Sequence, residues 1–133
     1  MDTAITGSTG HVGASMVRSL LEQGRTVRVL VRNDLRAVEG LDVETTQGDV
    51  TDPDSLMKLC NGADTVFHLA AKISIVGDEG GSVEKINVEG TKNVIEACIR
   101  NKVKRLVHFS SIHAYRSHPV SDIIDETRPL ALD

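Results

Sequence analysis

Aromatic side chains are almost missing from this sequence: 133 residues hold no tryptophan, one tyrosine and two phenylalanines. The core must therefore be aliphatic. A basic surface interleaved with aromatics, the usual platform for nucleic acid, is absent too. Positive charge is not in excess, since 15 Lys and Arg stand against 19 Asp and Glu for a formal net charge of −4. A nucleic-acid partner is thereby excluded. No apolar run approaches the ~18 residues that a membrane span needs. The amino terminus lacks the cationic, apolar and small-residue pattern of a secretion signal. We expect no membrane partner and a cytoplasmic location. Cysteine is scarce: Cys60 and Cys98 form no CxxC, and no histidine lies at ligand spacing. They are expected to be reduced thiols, and no metal site is expected. Neither a Ser/His/Asp set nor a carboxylate pair points to hydrolysis. The length suits one domain with a core of its own.

Glycine, by contrast, is placed with meaning. Gly7-Ser8-Thr9-Gly10-His11-Val12-Gly13 follows a short strand-like segment, residues 2–6, and opens an amphipathic stretch, residues 14–23. That is strand, glycine turn and helix. Glycines let a backbone approach phosphates closely, and the free N–H groups and dipole at a helix start attract negative charge. The pattern is GxxGxxG rather than the usual GxGxxG.

Strand-like and helix-like segments alternate from there on. Residues 26–31 are β-branched with period two, after the helix stop Gly24. Residues 33–40 are polar and short, and 43–47 form a weaker strand. Asp52 can cap a helix that begins at Pro53 and continues through 55–61, with Leu56, Leu59 and Cys60 on one face. Residues 64–69 read as a fourth strand. After a glycine-bearing loop, Ser82 is expected to cap a long helix reaching about residue 101. Val83, Ile86, Gly90, Val94, Ala97 and Cys98 share its apolar face, and residues 104–109 give a fifth strand. Alternation of this kind implies parallel pairing with right-handed crossovers. The fold class is α/β: a doubly wound parallel sheet, a Rossmann fold, in strand order 3-2-1-4-5. Ligands bind such sheets beyond the strand carboxyl ends, where the order reverses. The glycine turn, Asp49, Ala70-Ala71 and Ser110-Ser111 all fall at that edge.

These segments resemble the extended short-chain dehydrogenase/reductase family, the superfamily of NAD-dependent epimerases and dehydratases. TGSTGHVG at 6–13 is similar to its TGxxGxxG, and GDVTD at 48–52 to its acidic turn. HLAA at 68–71 is similar to its segment after the fourth strand, and INVEGTKNV at 86–94 to its NVxGTxN helix. HFSSIHAY at 108–115 resembles the strand end that carries a catalytic serine. HLAAKISI and SSI lean toward dihydroflavonol-reductase-like and 3β-hydroxysteroid-dehydrogenase-like members.

The resemblance implies roles for particular residues. Gly7, Ser8, Thr9, Gly10, His11, Val12 and Gly13 would hold the pyrophosphate of a nicotinamide dinucleotide. Asp49, with Val50, would contact the adenine, and Leu69, Ala70 and Ala71 would line the same site. Ser111 would hydrogen-bond a small-molecule carbonyl or alcohol substrate, and Asn87 would lie near the active site. Read from the strand itself, Val31-Arg32 replaces the acidic strand end that NAD sites favour, and an arginine there accommodates a 2′-phosphate. Arg36 is close enough in sequence to assist, while Asp34 keeps NAD as the alternative cofactor to NADP. Thr91 and Asn93 receive no role, and His68 is read as structural.

The family's Tyr-x-x-x-Lys is not found. Tyr115 is the one tyrosine, Pro119 stands four residues on, and all six lysines precede it. The chain, residues 1–133, is read as one NAD(P)-binding domain, the amino-terminal part of a longer oxidoreductase and inactive alone. The alternatives are a nucleotide-sugar epimerase or dehydratase and a non-catalytic NADP-binding module. A fifth strand left as an open edge invites association, so a homodimer is among the expected forms.

Overall fold

The computed structural model describes residues 1–131. Five parallel strands form one sheet in the order β3-β2-β1-β4-β5, as the sequence predicts. They are β1 (Thr3–Thr6), β2 (Val27–Val31), β3 (Glu44–Gln47), β4 (Thr65–His68) and β5 (Arg105–His108). Helix α1 (His11–Glu22) joins β1 to β2, and α2 (Pro53–Cys60) joins β3 to β4. A longer helical stretch joins β4 to β5: α3 (Ser82–Glu84), a π-turn (Lys85–Glu89) and α4 (Gly90–Arg100). The β2–β3 connection has turns in place of a helix. There Val38 fills the space a helix would cover. Among the described residues no helix is long and apolar enough to cross a membrane.

Two aliphatic layers follow from strand alternation. Ala4, Leu30 and Val66 point to one face and pack with Leu56, Leu59 and Cys60 of α2 and Val94, Ala97 and Cys98 of α4. Ile5, Val27, Val29 and Val31 point to the other, toward Val17 of α1 and Val38. Both cysteines are buried and unbridged, and the hydrogen bond with Cys98, together with burial, pushes the Cys60 thiol up. Arg28 lies on the α2 side of β2. Its guanidinium reaches the open end of α2, donating to the carbonyls of Lys58 at 3.1 Å, Leu59 at 3.0 Å and Asn61 at 2.7 Å. A cation suits the carbonyl end of a helix, and Glu44 on β3 balances the charge at 2.9 Å.

Helix starts follow two patterns. Asp52 caps α2 as predicted, accepting from the Asp54 N–H at 3.1 Å with Pro53 in the first turn. Ser82 does not cap the next helix. Gly80 and Gly81 adopt left-handed backbone conformations, and the reversal brings Asp78 over the helix start instead. Asp78 accepts from the Glu84 N–H at 2.8 Å, while the Ser82 hydroxyl donates back to the Glu79 carbonyl at 3.0 Å. The predicted long helix also contains a π-turn, in which the Gly90 N–H reaches the Lys85 carbonyl.

β5 is an edge strand. On the β4–β5 side of the sheet that α4 leaves open, Phe67 and Val107 are only half-buried. Ile73, Ile75, Val120 and Ile123, all in loops, are strongly exposed. Beyond β5 the chain is more ordered than its sequence suggests. Tyr115 and Leu130 form an antiparallel bridge. Arg128, nearly buried, donates to the carbonyls of Arg116 at 2.9 Å and Pro119 at 2.9 Å and pairs with Asp122 at 3.2 Å.

Three buried polar residues lie in the sheet itself, Thr3 and Thr6 on β1 and His68 on β4, and of these only His68 can titrate. The His68 side chain is 1% exposed. Burial, and secondarily His108 on β5, lowers its pKa to about 4. The rings stand 5.2 Å apart, as expected for partners in register.

Two tests follow from this packing. Gly90 occupies a helix interior, where glycine costs about 1 kcal/mol relative to alanine. A β-carbon there would lie 2.7 Å from the Val50 methyl. Overpacking of this kind typically costs 1–3 kcal/mol, so Gly90→Ala is expected to destabilise by roughly 1 kcal/mol net. In a Val50→Ala background the same change becomes neutral or stabilising, and urea denaturation of the four chains measures the coupling. For His68, the unfolded chain binds a proton near pH 6.5 and the folded chain only near pH 4. This contribution is therefore complete above pH 6.5 and lost as pH falls toward 4, by about 3 kcal/mol. Comparison with His68→Gln across that window isolates it.

Candidate functional site

The cleft begins where β1 ends. Gly7 turns the chain with φ at +75°, a conformation natural to glycine. A β-carbon on Gly7 would lie 2.6 Å from the Ala70 nitrogen, and one on Gly13 would lie 2.1 Å from the Gly7 carbonyl oxygen. The turn is thus wedged between the first coil of α1 and the chain leaving β4. Gly10 differs. A β-carbon there would meet only the Gly7 oxygen, at 3.3 Å, and Gly10 is exposed. Its lack of a side chain opens space outward. Ser8 is buried and donates to the Leu30 carbonyl at 3.3 Å, fastening the turn to β2.

A cavity of about 500 Å³ lies against this turn, beyond the carboxyl ends of β1, β2, β3 and β4. Of the residues proposed from sequence, Gly7, Thr9, Gly10, Arg32, Asp49, Val50, Leu69, Ala70 and Ala71 line it. Ser8 and Gly13 sit behind the turn, and His11 and Val12 are exposed at the start of α1. The sequence reading missed Leu30, Gly48, Lys72 and Ile86, which also line the cavity. Gly48 and Lys72 each adjoin a proposed residue, so the signal was present as an extension of GDV and HLAA.

The cavity suits a dinucleotide by three features. The start of α1 has no side-chain cap and no acid in its first turn, so its N–H groups are open to an anion. Arg32 is largely exposed and, among the described residues, has Asp49 Oδ2 at 4.0 Å as its ion partner. Asp49 uses Oδ1 to accept from the Thr51 N–H at 2.9 Å and the Thr51 hydroxyl at 2.8 Å, which leaves Oδ2 to face Arg32. Asp34 and Arg36 do not line it. They pair with each other at 2.6 Å, and this holds the Asp34 carboxyl down at about 2. Among the described residues no group of three or more His, Cys, Asp or Glu could hold a metal.

The two residues proposed for catalysis lie outside this lining. Asn87 sits on the π-turn and spends its side chain on Lys72. Its Oδ1 accepts from the Lys72 N–H at 2.8 Å, and its Nδ2 donates to the Lys72 carbonyl at 2.9 Å. Lys72 in turn reaches Glu79 at 2.6 Å and the Ser82 hydroxyl at 2.7 Å. Ser111 stands exposed past β5, where Oγ accepts from the His113 N–H at 3.2 Å. Among the described residues its own hydroxyl hydrogen has no acceptor. Thr91 and Asn93, given no role from sequence, both make tertiary bonds. Thr91 meets His68 at 3.0 Å, and Asn93 donates to the Val50 carbonyl at 3.1 Å.

Known proteins share this arrangement. Sterol demethylase protein B of Methylococcus capsulatus is 38% identical over 121 residues, 90% of this chain and 37% of that protein. Cinnamoyl-CoA reductase 1 of Petunia hybrida is 38% identical over 92% of this chain and 40% of its own length. The chain thus spans about two fifths of the relatives it matches. A short-chain dehydrogenase/reductase superfamily protein from Agrobacterium tumefaciens, solved with bound NAD, superposes with a TM-score of 0.83 at 32% identity. That match covers 100% of this chain and 40% of the other. The 3-beta hydroxysteroid dehydrogenase/isomerase family matches residues 4–130. With that match, the sheet order and the glycine turn in agreement, this chain belongs to the 3-beta hydroxysteroid dehydrogenase/isomerase family.

Proposed function

We propose that residues 1–133 form the NAD(P)-binding domain of an oxidoreductase that interconverts a carbonyl and a secondary alcohol, with NADP preferred. The open glycine turn and uncapped start of α1 support pyrophosphate binding. Leu69, Ala70 and Ala71 would form the wall opposite Asp49 and Val50. The nicotinamide supplies the hydride chemistry when bound. Relatives named as reductases, and a solved neighbour with NAD, support the cofactor class.

The observation that carries the preference for NADP is Arg32. It stands at the β2 end, and among the described residues its ion contact is the long one to Asp49 at 4.0 Å, while Asp34 on the loop after it is paired with Arg36. A 2′-phosphate would find a free guanidinium there. On the substrate side, Ser111 accepts from a backbone N–H and keeps its hydrogen for a substrate oxygen. Asn87 acts on the site through Lys72.

Titration of the chain with NADPH and NADH tests this reading. NADPH is expected to bind more tightly, and Arg32→Ala should remove the preference, costing on the order of 1–3 kcal/mol with NADPH. Equal affinities in the wild type would sink the NADP assignment. Gly10→Val should fold with wild-type helix content, since its backbone angles suit any residue, yet lose binding of both cofactors. The chain itself should reduce no aldehyde or ketone. General acid–base help is typically worth ~10²–10⁴ in rate, and Tyr115 has no lysine at the spacing that would activate it.

A further inference from the structure

His68 has two ring nitrogens, both within hydrogen-bond distance of a threonine. Nδ1 lies 2.6 Å from Thr6 Oγ1, and Nε2 lies 3.0 Å from Thr91 Oγ1. The directions of these bonds follow from the neighbours. Thr91 has one hydroxyl hydrogen, and Oγ1 stands 2.6 Å from the Asn87 carbonyl, which can only accept. Thr91 therefore accepts from His68, and the proton sits on Nε2. Burial keeps the ring neutral at pH 7, so Nδ1 is an acceptor and Thr6 donates to it. The remaining capacity of Thr6 Oγ1 is met by the Ala70 N–H at 3.3 Å. Every bond in this line has one donor and one acceptor. It runs from Ala70 through Thr6, His68 and Thr91 to Asn87.

Its two ends grip the same short segment. Ala70 is bonded directly, and Lys72 is held on both its N–H and its carbonyl by the Asn87 side chain. Residues 70–72 line the cavity, and Ala70 is also the backbone against which Gly7 turns. We propose that His68 is a positioning residue: fixed as the Nε2–H tautomer between Thr6 and Thr91, it sets the place of the Ala70–Lys72 wall and so the width of the cleft. The consequence for cofactor rests on the function proposed above; the tautomer and the wall do not.

The test is made on the full 133-residue chain. In the wild type, ring ¹⁵N shifts at pH 7 should show His68 as a single neutral species protonated on Nε2. Thr91→Val removes the acceptor while keeping the shape. It is expected to move the ring toward Nδ1–H and to speed exchange of the Ala70 and Lys72 amides about tenfold, with the Val29 amide of the central sheet unchanged. Thr91→Ser, which keeps the hydroxyl, should behave as wild type. Thr91→Ala carries the same expectation as Thr91→Val should the latter fail to fold. NADPH affinity should fall severalfold in the hydroxyl-deleted chain and recover in Thr91→Ser. A wild-type ring protonated on Nδ1 overturns the proposal. So does unchanged exchange at Ala70 and Lys72, and so does equal acceleration of every amide, which would mark a merely structural role. If wild-type chain binds neither NADPH nor NADH, the functional reading fails, while the ring and exchange measurements still decide the positioning role.

Discussion

The backbone of Gly7 sits between Gly13 and Ala70 at distances that admit no side chain on Gly7 or Gly13. This triple contact joins three separate pieces of chain: the end of β1, the first coil of α1 and the exit of β4. Everything at the cleft is placed relative to it. The helix start faces outward because Gly13 lets α1 lie flat on the turn. The β4 exit comes close because Gly7 offers no β-carbon. Close packing of this kind is intolerant of added volume, so the cleft inherits its shape from backbone atoms.

Much of this arrangement was legible in the sequence for physical reasons. Strand order follows from alternating β-branched runs and helix stops, and the site edge from where a parallel sheet reverses its order. GDV and HLAA fell at strand ends, so the residues they carry had to meet. Arg32 was legible because a charge directly after an apolar strand leaves the sheet at the ligand edge. What stayed hidden depends on distant or conformational detail. The Thr6–His68 and His68–Thr91 bonds join residues 62 and 23 positions apart. Threonine in a strand or a helix carries no mark of such a partner. The π-turn was invisible because apolar periodicity continues through it. Ser82 looked like a cap, and only the left-handed glycines before it bring Asp78 there instead. Asp34 and Arg36 looked available to the cleft until their turn closed them on each other.

Asn87 shows how geometry reshapes a role suggested by resemblance. A helix asparagine near an active site suggests contact with a reacting group. Here both polar atoms of its amide are committed to the backbone of Lys72. The π-turn carries it at the point where the helix passes that loop, and π-turns recur at functional sites. Its influence on any ligand passes through the loop it holds.

The two walls of the cleft are fastened in different ways. On one side, Arg28 ties β2 to three carbonyls at the end of α2, and the single hydroxyl hydrogen of Ser55 is shared between the carbonyls of Asp52 at 2.9 Å and Asp49 at 3.1 Å. A guanidinium fork shared among several acceptors resists rotation in a way that a single ammonium cannot. Strand, helix and acidic turn are there joined to one another directly. The opposite wall leaves the sheet after His68 and is held at its backbone, Ala70 by the Thr6 hydroxyl and Lys72 by the two arms of the Asn87 amide. A molecule seated in the cleft would thus lie between a face tied across strand, helix and turn, which bears Arg32 and Asp49, and a short stretch of backbone, Ala70–Lys72, gripped at both of its ends.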